Sequence, residues 1–146
     1  AFAAVESGWG KHIPGNNYFG IKADKNWHGD FIKIKTPECF ADGNKNLTAE
    51  IIQIIPAGGY GAFAACTAKH DYTYWINDKF RKYTGAAASF TDYGLFLNKY
   101  YKTAFTYKNP VDFGTYVLTH GYATAQYVET FKKIMANIQA IIDTKI

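Results

Sequence analysis

One carboxylate stands where acid–base chemistry could use it. Glu6 closes the apolar run Ala1-Phe2-Ala3-Ala4-Val5, and Trp9 follows three residues on. Apolar surroundings disfavour the charged form of a carboxyl and raise its pKa. A carboxyl that is protonated near neutral pH can hand a proton to a leaving oxygen, as cleavage of a glycosidic bond requires. The same position also fits a helix-terminal glutamate facing water, and local composition leaves both readings open.

Other chemistries lack their residues. The chain has no Gly-x-Ser-x-Gly. The glycine-rich stretch Gly58-Gly59-Tyr60-Gly61 lacks the lysine and the strand–helix setting of a phosphate cradle. His12, His28, His70 and His120 do not have ligand-like spacing, and Cys39 and Cys66 form no Cys-x-x-Cys pair, so neither a metal nor a cofactor is expected. If the two cysteines pair, closing their loop stabilises the fold by roughly 3.5 kcal/mol; otherwise they are small buried residues.

The elements that must hold these groups can be read from pattern. Residues 1–7 are helix-like and end at the Gly8 and Gly10 pair. Residues 10–17 form a loop around Pro14-Gly15-Asn16-Asn17. Residues 31–40 begin with period-two alternation and read as strand. Asp42-Gly43 signals a turn into a hairpin. Leu47–Ile55 fits a strand or a short helix, Pro56-Ala57-Gly58-Gly59 breaks it, and residues 72–83 read as a return strand. Ser89-x-x-Asp92 looks like a capping box that opens a helix to about Tyr101. Asn109-Pro110 starts another helix, running to His120 and stopping at Gly121. Thr124 caps the last helix. Its apolar positions (Tyr127, Val128, Phe131, Ile134, Met135, Ile138, Ile141, Ile142) step by three and four and predict a core stripe. The expected fold is α+β, a small β lobe among helices.

With 146 residues, the chain is sized for one domain, taken as residues 1–146. Hydrophobic residues make up 48% of it and charged residues 19%. That balance excludes a disordered chain. No apolar run reaches the roughly 18 residues of a membrane span. The net charge of +4 favours anionic partners such as an anionic polymer. The lysines are spread singly (Lys22, Lys25, Lys33, Lys35, Lys99, Lys102), which weighs against nucleic acid. Because the chain opens inside a helix, the natural protein is expected to extend upstream, and the lack of a visible signal peptide says little about location.

Ala3-Ala4-Val5-Glu6-Ser7-Gly8-Trp9-Gly10-Lys11, followed by Gly15-Asn16-Asn17-Tyr18-Phe19-Gly20-Ile21-Lys22-Ala23-Asp24, closely resembles the signature of the family 73 glycoside hydrolases. These are bacterial and phage endo-β-N-acetylglucosaminidases of the lysozyme-like superfamily. Asp78-Lys79-Phe80-Arg81-Lys82-Tyr83 and Gly121-Tyr122-Ala123-Thr124 with Tyr127 are also similar to the family. The stretch from about Asn44 to Tyr74 departs from it, being longer than a compact hairpin, and looks like an insertion in the β lobe.

The resemblance implies a mainly helical, lysozyme-like fold with a small β-hairpin lobe beside a catalytic cleft. It implies cleavage of the β-1,4 bond from N-acetylglucosamine to N-acetylmuramic acid in peptidoglycan. Glu6 matches the general acid, and Glu38 in Thr36-Pro37-Glu38 falls at the place of the second carboxylate, the other reading being a strand glutamate that faces solvent. Asp24 is a rival for that second place, and Tyr122 matches a tyrosine near the scissile bond. Asn17 and Tyr18 would shape the sugar cleft, with Trp27, Tyr83 and Tyr127 as further sugar platforms. The implied setting is the periplasm, cell wall or extracellular space, or a phage attacking its host's wall, with the protein acting as a monomer on glycan strands. A lytic transglycosylase and a non-catalytic wall-binding module are the alternative readings.

Overall fold

A computed structural model of the chain describes residues 1–67, 71–122 and 125–145. Two compact units are present, one built from Ala1–Ile21 and Tyr83–Ile146 and the other from Lys22–Lys82.

The first unit is helical. Its opening helix α1, Phe2–Ser7, is alanine-rich and stops where Gly8 turns left-handed at φ 56°, its N–H donating to the Ala4 carbonyl. Glycine takes that conformation without the clash a Cβ would bring. Helix α3 spans Ala86–Tyr100. It begins three residues before the expected capping box, because Ala86-Ala87-Ala88 already favours helix. Ser89 is therefore not a cap: it is fully buried, and its Oγ accepts from the Tyr18 N–H at 3.2 Å.

Helix α4, Pro110–Val117, starts as expected, with the Asn109 side chain accepting from the Val111 N–H at 2.7 Å. It ends earlier than its pattern suggests, passing into a π-helical turn, Leu118–Tyr122, where Gly121 has φ 100°. Helix α5 covers Ala125–Lys145; the expected cap, Thr124, lies outside the described residues. Phe2, Phe19, Tyr93, Leu97, Val117, Leu118 and Phe131 form the core of this unit. Phe19 and Tyr93 stack with ring centroids 3.7 Å apart.

The apolar stripe of α5 is core only over its first half. Phe131 is buried, whereas Ile141 and Ile142 are exposed. Length accounts for the difference. Helix α5 has 21 residues, against 6 in α1 and 8 in α4. Helix length grows in proportion to residue number, so neither short helix reaches along the whole of the long one.

The second unit is a three-stranded antiparallel sheet. Strand β1 is Phe31–Phe40, β2 is Glu50–Pro56 and β3 is Tyr72–Arg81, in the order β1-β3-β2. The ambiguous run before Pro56 is strand, in keeping with its β-branched isoleucines. No hairpin follows Asp42-Gly43. Strand β1 pairs with β3 instead, Phe31 opposite Arg81 through Phe40 opposite Tyr72, which leaves β2 on the far edge. The lobe is thus three-stranded rather than a simple hairpin. The Tyr74 hydroxyl pins the connection after β1, donating to the Asp42 carbonyl at 2.7 Å and accepting from the Lys45 N–H at 3.0 Å. A short helix, α2 (Ala64–Thr67), joins β2 to β3 and is tied to β1 by the disulfide Cys39–Cys66. His70 lies outside the described residues. No helix among the described residues is long and apolar enough to cross a membrane.

Candidate active site

In the helical unit, the end of α1 presents Glu6. Ser7 fixes that end: it is buried, its hydroxyl bonds to the Ala3 carbonyl, and it accepts from the Gly10 N–H at 2.9 Å. The following loop is locked by Asn17, whose amide accepts from the Ile21 N–H at 3.1 Å and donates to the Ile21 carbonyl at 2.9 Å. Gly20, at φ 62°, thereby lies beside the acid, and a Cβ there would sit 3.7 Å from Glu6 Oε2. Asn17 is buried. Its visible work is shaping the loop, with both ends of its amide already engaged.

The Glu6 carboxyl accepts from the Tyr127 hydroxyl at 2.6 Å. Desolvation raises its pKa above the ordinary glutamate value, and the bond from Tyr127 pulls in the other direction without cancelling that rise. Trp9 does not supply the crowding expected of it, because it is 57% exposed and held at φ 60°. The aromatic neighbours come from the later helices. The Tyr122 ring packs 5.4 Å from Phe2 and 6.4 Å from Tyr127. Burial, the largest cause, pushes the hydroxyls of both Tyr122 and Tyr127 upward, so both remain proton donors.

Tyr18 is partly exposed, with its ring 5.6 Å from Phe90. Tyr83 differs from its expected place as a sugar platform. It is buried, and its hydroxyl donates to Asp92 Oδ2 at 2.6 Å, so it supports the fold from inside.

In the sheet unit, Lys22 holds two carboxylates. It pairs with Glu38 Oε1 and, at 2.8 Å, with Asp78 Oδ2. Burial alone would lower its ammonium pKa; hydrogen bonds and charge from Asp78 and Glu38 outweigh burial and raise it. Asp24 is exposed, and its Oδ1 accepts from the Asn26 N–H at 3.0 Å. Asp24, Glu38 and Asp78 line one groove of about 360 Å³. Sequence reading did not find Lys22 and Asp78 as parts of this site. The period-two alternation of β3 was the available signal for Asp78. The register sets Asp78 opposite Ile34 and Glu38 opposite Tyr74, and alternation puts all four on one face of the sheet. Trp27 sits beside Asp24 with its Nε1 donating to the Asp30 carbonyl at 2.8 Å, and Arg81 lies over its ring at 4.6 Å. Among the described residues, no cluster of His, Cys, Asp and Glu is arranged to hold a metal ion.

The family described as mannosyl-glycoprotein endo-beta-N-acetylglucosaminidase matches residues 1–140. The chain belongs to this glucosaminidase family. It is a glycoside hydrolase with an α+β fold. The C-terminally truncated glycoside hydrolase domain of Salmonella typhimurium FlgJ shares that fold at 23% identity and a TM-score of 0.60, covering 94% of this chain and 79% of the FlgJ domain. A mutant peptidoglycan hydrolase from Sphingomonas sp. A1 superposes with a TM-score of 0.56 at 22% identity, over 85% of this chain and 67% of that one. No curated protein sequence matches the chain significantly. In this glucosaminidase, then, the raised carboxyl of Glu6 belongs to a glycosidase scaffold.

Proposed function

We propose that this glucosaminidase is a peptidoglycan hydrolase, cleaving the β-1,4 bond from N-acetylglucosamine to N-acetylmuramic acid with Glu6 as general acid. The observation that carries the reading is the Glu6 carboxyl at the end of α1, an exposed residue whose carboxyl accepts from the Tyr127 hydroxyl at 2.6 Å and is partly desolvated, which raises its pKa. Desolvation keeps the proton on Glu6 to higher pH, ready for transfer to the bridging oxygen. The similarity to a solved peptidoglycan hydrolase supports the choice of polymer. Glu38 is the proposed second carboxylate, acting as base for water or stabilising positive charge on the sugar ring; Asp24 is its rival in the same groove. Tyr122 is assigned to the neighbourhood of the scissile bond, and Tyr18, Trp27 and Tyr127 to the sugar path. Residues 1–146 act as one glucosaminidase domain, a monomer working outside the cytoplasm on wall glycan, without a cofactor.

Replacing Glu6 by Gln tests this directly. The variant should remain folded and lose nearly all release of reducing ends from purified peptidoglycan. Native-rate release would refute the role of Glu6. Products ending in anhydro sugars would instead show a transglycosylase. The Glu38→Gln change should cost at least tenfold, about 1.4 kcal/mol of barrier, and a smaller loss would move the second role to Asp24.

A further inference from the structure

We infer that Lys22 is a positioning residue for Glu38, favouring its charged form and fixing one of its two oxygens, with Asp78 anchoring Lys22 in turn. The inference rests on the proposed role of Glu38 as second carboxylate. Lys22 is set in place by its backbone. It bridges antiparallel to Phe80 of β3, its carbonyl accepts from Arg81 Nε at 3.3 Å, and the next N–H, that of Ala23, donates to the Lys79 carbonyl at 2.8 Å. From there its side chain reaches both carboxylates, pairing with Glu38 Oε1 and, at 2.8 Å, with Asp78 Oδ2. Asp78 is itself held, because its Oδ1 accepts from the Lys79 N–H at 2.8 Å. Lys22 therefore occupies one oxygen of Glu38. Among the described residues no hydrogen bond engages the other, Oε2, and Glu38 lines the groove with Asp24 and Asp78.

Charge and geometry argue this together. Either task proposed for Glu38, taking a proton from water or facing positive charge on the sugar ring, needs the carboxylate and not the acid. The strand register puts Glu38 and Asp78 on one face of the sheet, and carboxylates that share a site disfavour each other's charge. Lys22 reverses that effect by sharing one ammonium between them. Its own charge is secure: burial works against it, and hydrogen bonds and charge from Asp78 and Glu38 outweigh burial. A lysine stem is flexible, so a single partner would leave the ammonium free to swing; the second partner, Asp78, fixes it. The other titratable neighbours of Glu38 are Asp24 in the same groove, Tyr74 directly across the strands with its hydroxyl donating to the Asp42 carbonyl, and Lys45, whose Nζ lies 4.4 Å from the centre of the Phe40 ring. Among the described residues, Lys22 is the one that bonds to the Glu38 carboxylate.

The test is a pH–rate profile for release of reducing ends from purified peptidoglycan, run on the whole chain and its E38Q, K22M, K22R and D78N variants, with each fold checked by a thermal melt. E38Q is read first. A loss of about tenfold or more upholds the second-carboxylate reading, and a smaller loss overturns that reading and the inference with it. K22M removes the cation and leaves the two carboxylates to each other, so the acidic limb of the kcat profile should move upward by about one pH unit, with kcat lowered and KM little changed. D78N removes the like charge and leaves Lys22 to Glu38 alone, so the limb should move downward. K22R keeps the charge and should keep the limb at the parent's pH. A side chain that merely supports the fold would not move the limb in opposite directions in K22M and D78N. If K22M does not fold, D78N and K22R decide. With E38Q impaired, a limb that does not rise in K22M, or does not fall in D78N, would overturn the positioning role and leave the hydrolase reading intact.

Discussion

The Tyr127 hydroxyl donates to Glu6 Oε1 at 2.6 Å, joining residues 121 positions apart in the chain. One bond thus ties the start of the helical unit to its last helix and tempers the proton affinity of the Glu6 carboxyl. Desolvation raises that affinity, and the hydroxyl moderates the rise by stabilising the ionised form.

Replacing Tyr127 by Phe removes the moderating bond. The Glu6 pKa should climb further, so the acid form survives to higher pH and the alkaline limb of the kcat profile moves upward. Maximal kcat should fall about tenfold as the carboxyl loses its orientation, roughly 1.4 kcal/mol of barrier. A pH–rate profile for wall lysis measures both, and an alkaline limb that stays in place or moves down would contradict the moderating role.

Glu6 also makes stability depend on pH. Its folded pKa is above the unfolded value, so the folded state binds the extra proton. Its favourable contribution is complete below the unfolded value and is lost as pH rises through the folded one. The Glu6→Gln variant carries no such charge. It should match the parent in acid and become the more stable of the two above the raised pKa, by no more than about 1 kcal/mol because solvent partly screens the group. Urea melts at several pH values supply the comparison.

The Cys39–Cys66 disulfide closes a separation of 27 residues and anchors α2 to β1. Replacing both cysteines by Ser, or reducing the bond, should destabilise the sheet unit by about 3.5 kcal/mol on loop-closure entropy. Denaturant melts with and without reductant check this; identical midpoints would count against it.

Gly114 lies on α4 against α5. A Cβ there would meet Phe131 Cζ at 2.1 Å, far inside contact distance. In an exposed helix interior Gly→Ala stabilises by up to about 1 kcal/mol. Here Gly114→Ala should destabilise, by about 1–3 kcal/mol of overpacking, with the loss read in a thermal melt. A gain would show that Phe131 moves aside freely.

Local signals carried much of the architecture. Gly8 and Asn109-Pro110 mark their helix ends because those residues satisfy or release backbone groups within a few positions. Alternation through Phe31–Phe40 and Tyr72–Arg81 marked two strands. Where the reading failed, a distant partner had intervened. Ser89 resembles a cap but serves the backbone of Tyr18, 71 residues away. Asp42-Gly43 resembles a hairpin turn, yet β1 found β3, and Tyr83 proved to be an internal support.

The sequence by itself determined the family and most element boundaries, since these depend on residue types at short, fixed spacing. Tertiary structure alone decided that Tyr127 meets Glu6, that Lys22 gathers Glu38 and Asp78, and that singly scattered lysines converge on one sheet face. Those outcomes depend on strand order and register, which are set by which surfaces bury each other across tens of residues rather than by any local pattern.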